Sequence, residues 1–491
     1  MTCPVPQNIN TDRIFFVNFS ELEGRLEPEF YRPSIASYEK KIRSHSSRKL
    51  KDFALTLAGG ATPPKTESDK YYSDSTNGVP FLRVQNLQTN GELLLDDCVY
   101  INKETHTGLL KRSQVSEGDL LIKITGVGRM AIASVAPAGF VGNTNQHMVV
   151  IKTGNVELSK YLAHYLNLDS IEKIASRHST GGTRPALDYP SLKNLPIIED
   201  LDFSGIDLAL KYKQQKEQEA KDLLASIDDY LLSELGIERP TLARTENGRF
   251  FYTSYKEVIG KRLDPLAYSE QAQKIKHAII NGKYPCSSLK SLTIQEAAGD
   301  WGIDITDDYD MQIYSKCLVL RSTEFNAHHN LVIDDAKAKY RLISKKKLQN
   351  IDLQINDLII EKSGGSENQP VGRIAIITKN LWENDTLCYS NFVQKIRINK
   401  NKVIPKYMYY FLRLVHNLKL TETMQSQTNG IRNLILSEYY AQQIPIPSIE
   451  KQRDIISQIE VIYNKAIELQ KSAQEIINKA KQEIEAMILG E

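Results

Sequence analysis

The side chains in this 491-residue sequence best suited to chemistry are amides and guanidinium groups, not nucleophiles or metal ligands. Asn, Gln and Arg carry paired donors and acceptors that match the major-groove edges of adenine and guanine, while Lys and Arg neutralise phosphates. Such groups sit at the ends of runs that read as strands. The first half of the chain offers Arg83, Gln85, Asn86, Lys123, Thr125, Arg129, Asn145, Gln146 and Arg184. The second offers Arg321, Lys362, Ser363, Arg373, Asn391 and Arg432. These are candidate DNA-binding residues, and each is also a residue type that serves as a solvated or structural polar group. A basic run, Lys337, Lys339, Arg341, Lys345, Lys346 and Lys347, suits a phosphate rail and a solvated face equally well.

Catalytic chemistry finds little support. Gly126-Val127-Gly128-Arg129-Met130-Ala131 fits a dinucleotide-binding spacing, but that motif needs a helix straight afterwards and an acidic residue about twenty positions on. Here an extended, proline-containing stretch follows. Asp357 to Lys362 resembles part of a metal-dependent nuclease, yet a buried strand explains it better. No phosphate loop, His-x-x-x-His or Gly-x-Ser-x-Gly string occurs, nor the Asn-Pro-Pro-aromatic signature of an amino-methyltransferase. Cys3, Cys98, Cys286, Cys317 and Cys388 are odd in number and form no Cys-x-x-Cys pair, against both a disulfide framework and a zinc site. No catalytic residue, metal or cofactor is expected.

The elements that must position these groups come in duplicate. RIFFVNFSELEGRLEPEFY from Arg13 returns as RFFYTSYKEVIGKRLDPLAY from Arg249, placing Arg25 opposite Arg262, 237 residues apart. Arg83 pairs with Arg321 and Asp119 with Asp357 at 238. Arg129 meets Arg373 at 244, Asn145 meets Asn391 at 246, Arg184 meets Arg432 at 248 and Pro196 meets Pro445 at 249. Offsets that only rise are what two diverged copies with small insertions require.

Both copies close on a helix. From Ile455 apolar residues recur at steps of four and three through Ile459, Ile462, Ala466, Leu469, Ala473, Ile476 and Ala480, with Ile484 and Met487 continuing after one slip. Subtracting 249 puts Ile206, Leu210, Lys213, Glu217, Ala220, Leu224, Ile227 and Leu231 on the matching seam. Each seam is too narrow for a globular core face and has a natural partner in the other; packing of each helix on its own head is the alternative. A helix from Ile206 to Leu235 would be about 45 Å long. The heads read as mixed α/β, with strands near 80–87, 119–125 and 148–152, helices after Pro33 and Asp264, and helices near 160–166 and 406–412. The division is a first head over 1–203, a helix over 204–236, a second head over 237–448 and a helix over 449–491.

Composition sets bounds. With 41% hydrophobic and 25% charged residues and a net charge of +2, the chain reads as an ordinary multidomain protein whose polyanion contacts must come from local patches. No membrane-length apolar run and no signal-peptide pattern occur, so the expected location is the cytoplasm.

The ordered strings GGATPPK (59–65), GVPFLRV (78–84), GDLLIKITG (118–126) and IPIPSIEKQRDII (444–456), with the duplication and the two spaced helices, resemble the specificity subunit of type I restriction-modification systems over nearly the whole chain. The resemblance implies an α+β fold with two target-recognition domains and an antiparallel coiled coil. It also implies a non-catalytic subunit that reads a bipartite double-stranded DNA target and docks DNA adenine methyltransferase subunits, two in number, and through them restriction/translocase subunits. Departures exist: the second copy lacks the Thr-Pro turn near Gly299, and the first has LPIIEDLDFSG where a Pro-rich junction belongs. The rival readings are a recognition partner of a combined methylase-nuclease or other phage-defence complex, and a coiled-coil adaptor that reads no DNA.

Overall fold

A computed structural model describes residues 10, 12–240, 254–259, 265–326, 328–365, 369–428 and 431–490. Arg262, Asp264 and Cys3 lie outside them. Contacts divide the chain into two units, Met1–Gln218 with Leu469–Glu491 and Glu219–Glu468.

In the first unit a four-stranded antiparallel sheet runs in the order 56–59, 148–152, 120–123, 133–135. Leu120, Leu121, Ile122 and Lys123 are all buried, because alternate side chains enter two different cores. Leu120 and Ile122 join Val149, Ile151 and the helices Val156–Leu166 and Asp169–His178. Leu121 joins Met148, Val150, Leu82 and Val115 on the opposite face. Full burial of one such side chain is worth about 1.5–3 kcal/mol. A second sheet runs 72–73, 99–101, 79–82, 141–144, 114–116, and its one parallel pair is 79–82 with 141–144. Helix Val156–Leu166 begins where the Asn155 side chain accepts the amides of Glu157 and Leu158.

The second unit repeats the plan. Strands 293–298, 393–398, 358–361 and 374–376 form the antiparallel sheet in the same order, and 340–344, 314–320 and 387–389 form the other, again with one parallel pair, 314–320 with 387–389. Strands 363–365, 431–434 and 425–428 form a separate antiparallel sheet. Helices Pro33–His45, Glu270–Ile280 and Pro405–Asn417 stand where the sequence places them, the second capped at Asn281. The strand expected over 80–87 stops at Leu82. There the Asn86 side chain accepts the Arg83 amide at 2.8 Å and bends the chain into a short turn, local bonding that competes with the ladder.

The two long helices are Ser204–Leu235 and Ile449–Leu489. Each starts on its own head: Ile206 lies in the first head's core, and the Gln452 side chain bonds Ile404 N at 2.8 Å and Pro447 O at 2.9 Å. Within the first unit the end of the second helix shares that same core through Ile484, Ile488 and Leu489, and Lys41 donates to Leu489 O at 2.6 Å. Within the second unit the end of the first helix meets the start of the second through Glu234 and Lys451 at 2.5 Å. Each unit thus contains the end of one long helix and the start of the other. Ile455, Ile459, Ala466, Ala473, Ile206, Ala220, Leu224, Ile227 and Leu231 are buried. Ile484 is buried as expected, but Met487 is 61% exposed and Ile488 is buried instead, because here the helix packs into a head whose core sets the spacing. Glu217 is exposed and paired with Lys213 at 3.6 Å. No helix among the described residues is long and apolar enough to cross a membrane.

Candidate nucleic-acid interface

Four loops of the first head converge at one end of its sheets. Ile124 N donates to His147 O at 2.9 Å, Leu187 N to Ile124 O at 2.8 Å and Gly126 N to Pro185 O at 3.0 Å, which ties 124–129, 144–147 and 179–187 together. The fourth, 59–65, is pressed against them: a Cβ on Gly60 would stand 2.1 Å from Thr144 O and 2.3 Å from Asn145 O, so only glycine lets the backbones approach. Thr62 Oγ donates to Gln146 Oε. The outward groups are Thr62, Lys65, Val127, Gln146, Thr183 and Arg184.

The second head builds the same end. Lys362 N donates to Phe392 O at 2.8 Å and Leu434 N to Lys362 O at 2.8 Å, and a Cβ on Gly299 would stand 2.2 Å from the carbonyl oxygens of both Tyr389 and Ser390. Ser363 Oγ bonds Asn433 Oδ1 at 2.6 Å. Asn391, Phe392 and Ile431 face outward, with Lys362 and Arg432 half-buried beside them. Burial holds the Lys362 ammonium below its ordinary range, and the positive charge of Lys347 adds to this.

The candidate residues sort by what their polar atoms already do. Gln146, Arg184 and Asn391 are exposed, and so is Gln85, although it donates to Asp97 at 3.0 Å. Thr125, Lys362, Ser363 and Arg432 are half-buried on the converging loops. Arg83 and Arg321 each lead a short turn and reach back to a carbonyl, Asp97 O at 3.2 Å and Lys337 O at 3.1 Å. Asn86, Lys123, Asn145 and Arg373 are buried. Asn86 donates to Leu94 O at 2.8 Å, and Lys123 Nζ donates to Val127 O and Arg129 O, both at 2.8 Å, holding the 126–129 loop. Asn145 Oδ1 accepts His147 N at 3.1 Å. Arg373 grips Glu361 at 2.8 Å through two nitrogens and Ser322 O at 2.8 Å. Arg129 points to Asp169 and to Asn167 O at 2.7 Å, an oxygen that Lys481 of the second long helix also approaches at 3.3 Å. Arg129 therefore closes a converging loop while its guanidinium is turned to the junction of head and helix.

Three of the paired positions need correction. Lys123 N bonds Ile132 O as Glu361 N bonds Arg373 O, so Arg373 matches Ile132 at an offset of 241, and the Arg129 string match is not a structural one. Asn145 N bonds Leu82 O as Ser390 N bonds Leu320 O, so Asn145 matches Ser390, and Gln146 matches Asn391, at 245. Leu187 matches Leu434 at 247, which places Arg432 opposite Pro185. A slip of one residue in an extended segment turns every side chain to the other face, so identical letters one step out of register do different work. The corrected offsets still only rise, and Pro196 keeps Pro445 as its partner: Lys49 bridges to the first and Cys286 to the second.

Gly126 to Ala131 is followed by an irregular stretch and the strand 133–135, not by the helix a dinucleotide fold needs. Leu358–Glu361 is buried throughout. Among the described residues no cluster of His, Cys, Asp or Glu could hold a metal. In the basic run Lys337 pairs with Asp334 at 2.9 Å, Arg341 with Asp304 while lying over Trp301, and Lys347 with Asp300 at 4.0 Å; Lys339, Lys345 and Lys346 are exposed. Sequence reasoning passed over Thr62, Lys65, His147 and Phe392. The glycines at 60 and 299, which must sit against a neighbouring backbone, are the signal that would have led to them.

A family model described as the type I restriction modification DNA specificity domain matches residues 45–198 and again 313–479. A search of curated proteins finds no match. Among solved structures, a chain from work on the assembly and conformational transition of the type I R-M system is 15% identical, with 90% of this chain and 96% of that one covered and a TM-score of 0.40. The HsdS subunit from Thermoanaerobacter tengcongensis is 13% identical, with 90% and 95% covered and a TM-score of 0.28. The type I restriction-modification S subunit from M. genitalium is 11% identical, with 89% and 95% covered and a TM-score of 0.35.

Proposed function

From the premise that this chain belongs to the type I restriction modification DNA specificity family, as a non-catalytic specificity subunit, we propose that its two heads each read one half of a bipartite DNA target. The observation that carries this reading is the repetition of one loop platform. Both heads converge the same loops on a glycine-packed turn, yet present different polar groups there, so two like surfaces address two unlike half-sites. Phosphate contacts would fall to Lys65, Arg184, Lys362 and Arg432, and base contacts to the side chains on the turns. The long helices act as the spacer between half-sites and as the docking rod for adenine methyltransferase subunits, two per chain, which bring restriction/translocase subunits with them.

Sequencing of DNA methylation with and without the gene tests this. Deletion should abolish marking at one split motif, and a genome whose marks are unchanged while the gene is expressed refutes the reading. A heptad inserted in the exposed middle of the first helix should lengthen the gap and leave both half-sites as they were; a changed half-site with the old gap refutes the spacer role.

A further inference from the structure

We infer that the residue pairs Gln146-His147 and Asn391-Phe392 are one matched base-reading position, set differently in the two heads. This rests on the reading that the converging loops face DNA. The backbone at both pairs is fixed by the same contacts. Met148 N closes a tight turn on Asn145 O at 3.3 Å, and Val393 N closes its counterpart on Ser390 O at 3.0 Å. The His147 carbonyl accepts Ile124 N, and the Phe392 carbonyl accepts Lys362 N and, at 3.3 Å, Ser363 N. From the other side Gly60 and Gly299 press on the carbonyls that begin each turn. A turn pinned on two sides presents its tip side chains with little freedom, and that is what discrimination between bases needs.

The tips differ in chemistry while the platform does not. Gln146 and Asn391 are exposed amides, suited to the N6 and N7 edge of adenine. Beside them stand a half-buried imidazole in the first head and, in the second, a phenyl ring 47% exposed on a rigid turn. An imidazole donates or accepts a hydrogen bond at a base edge. A phenyl ring does neither, and its favourable partner in the major groove is the thymine methyl group. The second head is thereby set for an A·T pair at this position by apolar contact, and the first for a hydrogen-bonding edge. Thr62, whose hydroxyl donates to Gln146, acts as a positioning residue.

The test uses the full chain in its host system, with methylated motifs as the readout. Phe392→His should change the preferred base at one position of one half-site, with the preference for thymine falling about tenfold, a loss of about 1.4 kcal/mol. His147→Phe should change one position of the other half-site. Each variant should leave the opposite half-site intact. Gln146→Ala and Asn391→Ala alter exposed side chains that no core depends on, so they keep the test open if a ring exchange impairs folding; each should relax selectivity at the same place. Motifs unchanged in all variants that still methylate overturn the assignment. An unmodified chain that directs no split motif overturns the DNA reading itself, a distinct result.

Discussion

The two heads share a backbone and disagree about charge. At the end of the central strand the second head places Glu361, 1% exposed, clasped by Arg373. The first head has Lys123 at the matching position, 3% exposed, with its ammonium committed to two loop carbonyls, and Ile132 where the arginine would stand. A buried charge has been inverted, yet the strands around it keep their order and their pairing. The register is held by main-chain bonds and alternating apolar side chains, and a buried ion needs only that its polar atoms be satisfied. Recurring letters are therefore a weak guide to equivalent roles in this pair of repeats, and recurring main-chain bonds are a strong one.

The largest expected effect comes from breaking a charge pair enclosed in the second head. Arg373→Ala strands Glu361 in the core and should destabilise the second head by about 3–5 kcal/mol. Arg129→Ala removes a bridge to a mostly exposed carboxylate plus one carbonyl contact, worth about 1–2 kcal/mol together. Hydrogen exchange resolved by peptide would report each head separately. Equal losses in the two variants would break the comparison. A double replacement, Glu361→Leu with Arg373→Met, should recover most of the first loss and would sharpen it.

Much of the fold was legible because it follows from periodicity and local signals. The duplication, the helices that start at Ser204 and Ile449, and the strand Met148–Lys152 all follow from apolar spacing with turn residues at the ends. Register was not legible. Asn145 and Asn391 look paired because both precede an apolar strand, and only the bonds to Leu82 and Leu320 reveal the one-residue offset. The end of the second helix misled for a related reason. The heptad count carries as far as Ile484, but it assumes a helix partner, and beyond that point Ile488 and not Met487 is buried because the first head's core sets the spacing. Of the candidate interface, the exposed amides were visible as residue types. The burial of Lys123 and Arg373 was not, since it depends on where distant loops return.

A smaller effect separates the heads by pH. In the second unit His329 is 1% exposed, its ring 4.7 Å from that of His416, with Arg413 and Arg373 adding positive charge nearby. Burial, with His416 and those arginines, pushes its pKa down to about 2, and burial lowers His416 and His328 as well. A histidine lowered in the fold contributes stability that is complete above its unfolded value near 6.5 and is lost as pH falls below it. At pH 5 the loss from His329 is about 2 kcal/mol. In the first unit burial also lowers His164, but Asp207 at 2.9 Å opposes it. The principal acid there is Glu39: burial would raise it, yet His178 and Arg43 bring it down to about 2. A lowered carboxylate contributes stability above its unfolded value of 4.5, lost only as pH falls toward 2. Between pH 7 and 5 the second head should therefore loosen more than the first, where Asp207 offsets part of the lowering at His164. Limited proteolysis mapped by mass spectrometry should find new cuts first within 219–468, and first cuts within the N-terminal head at pH 5 would reverse the ranking.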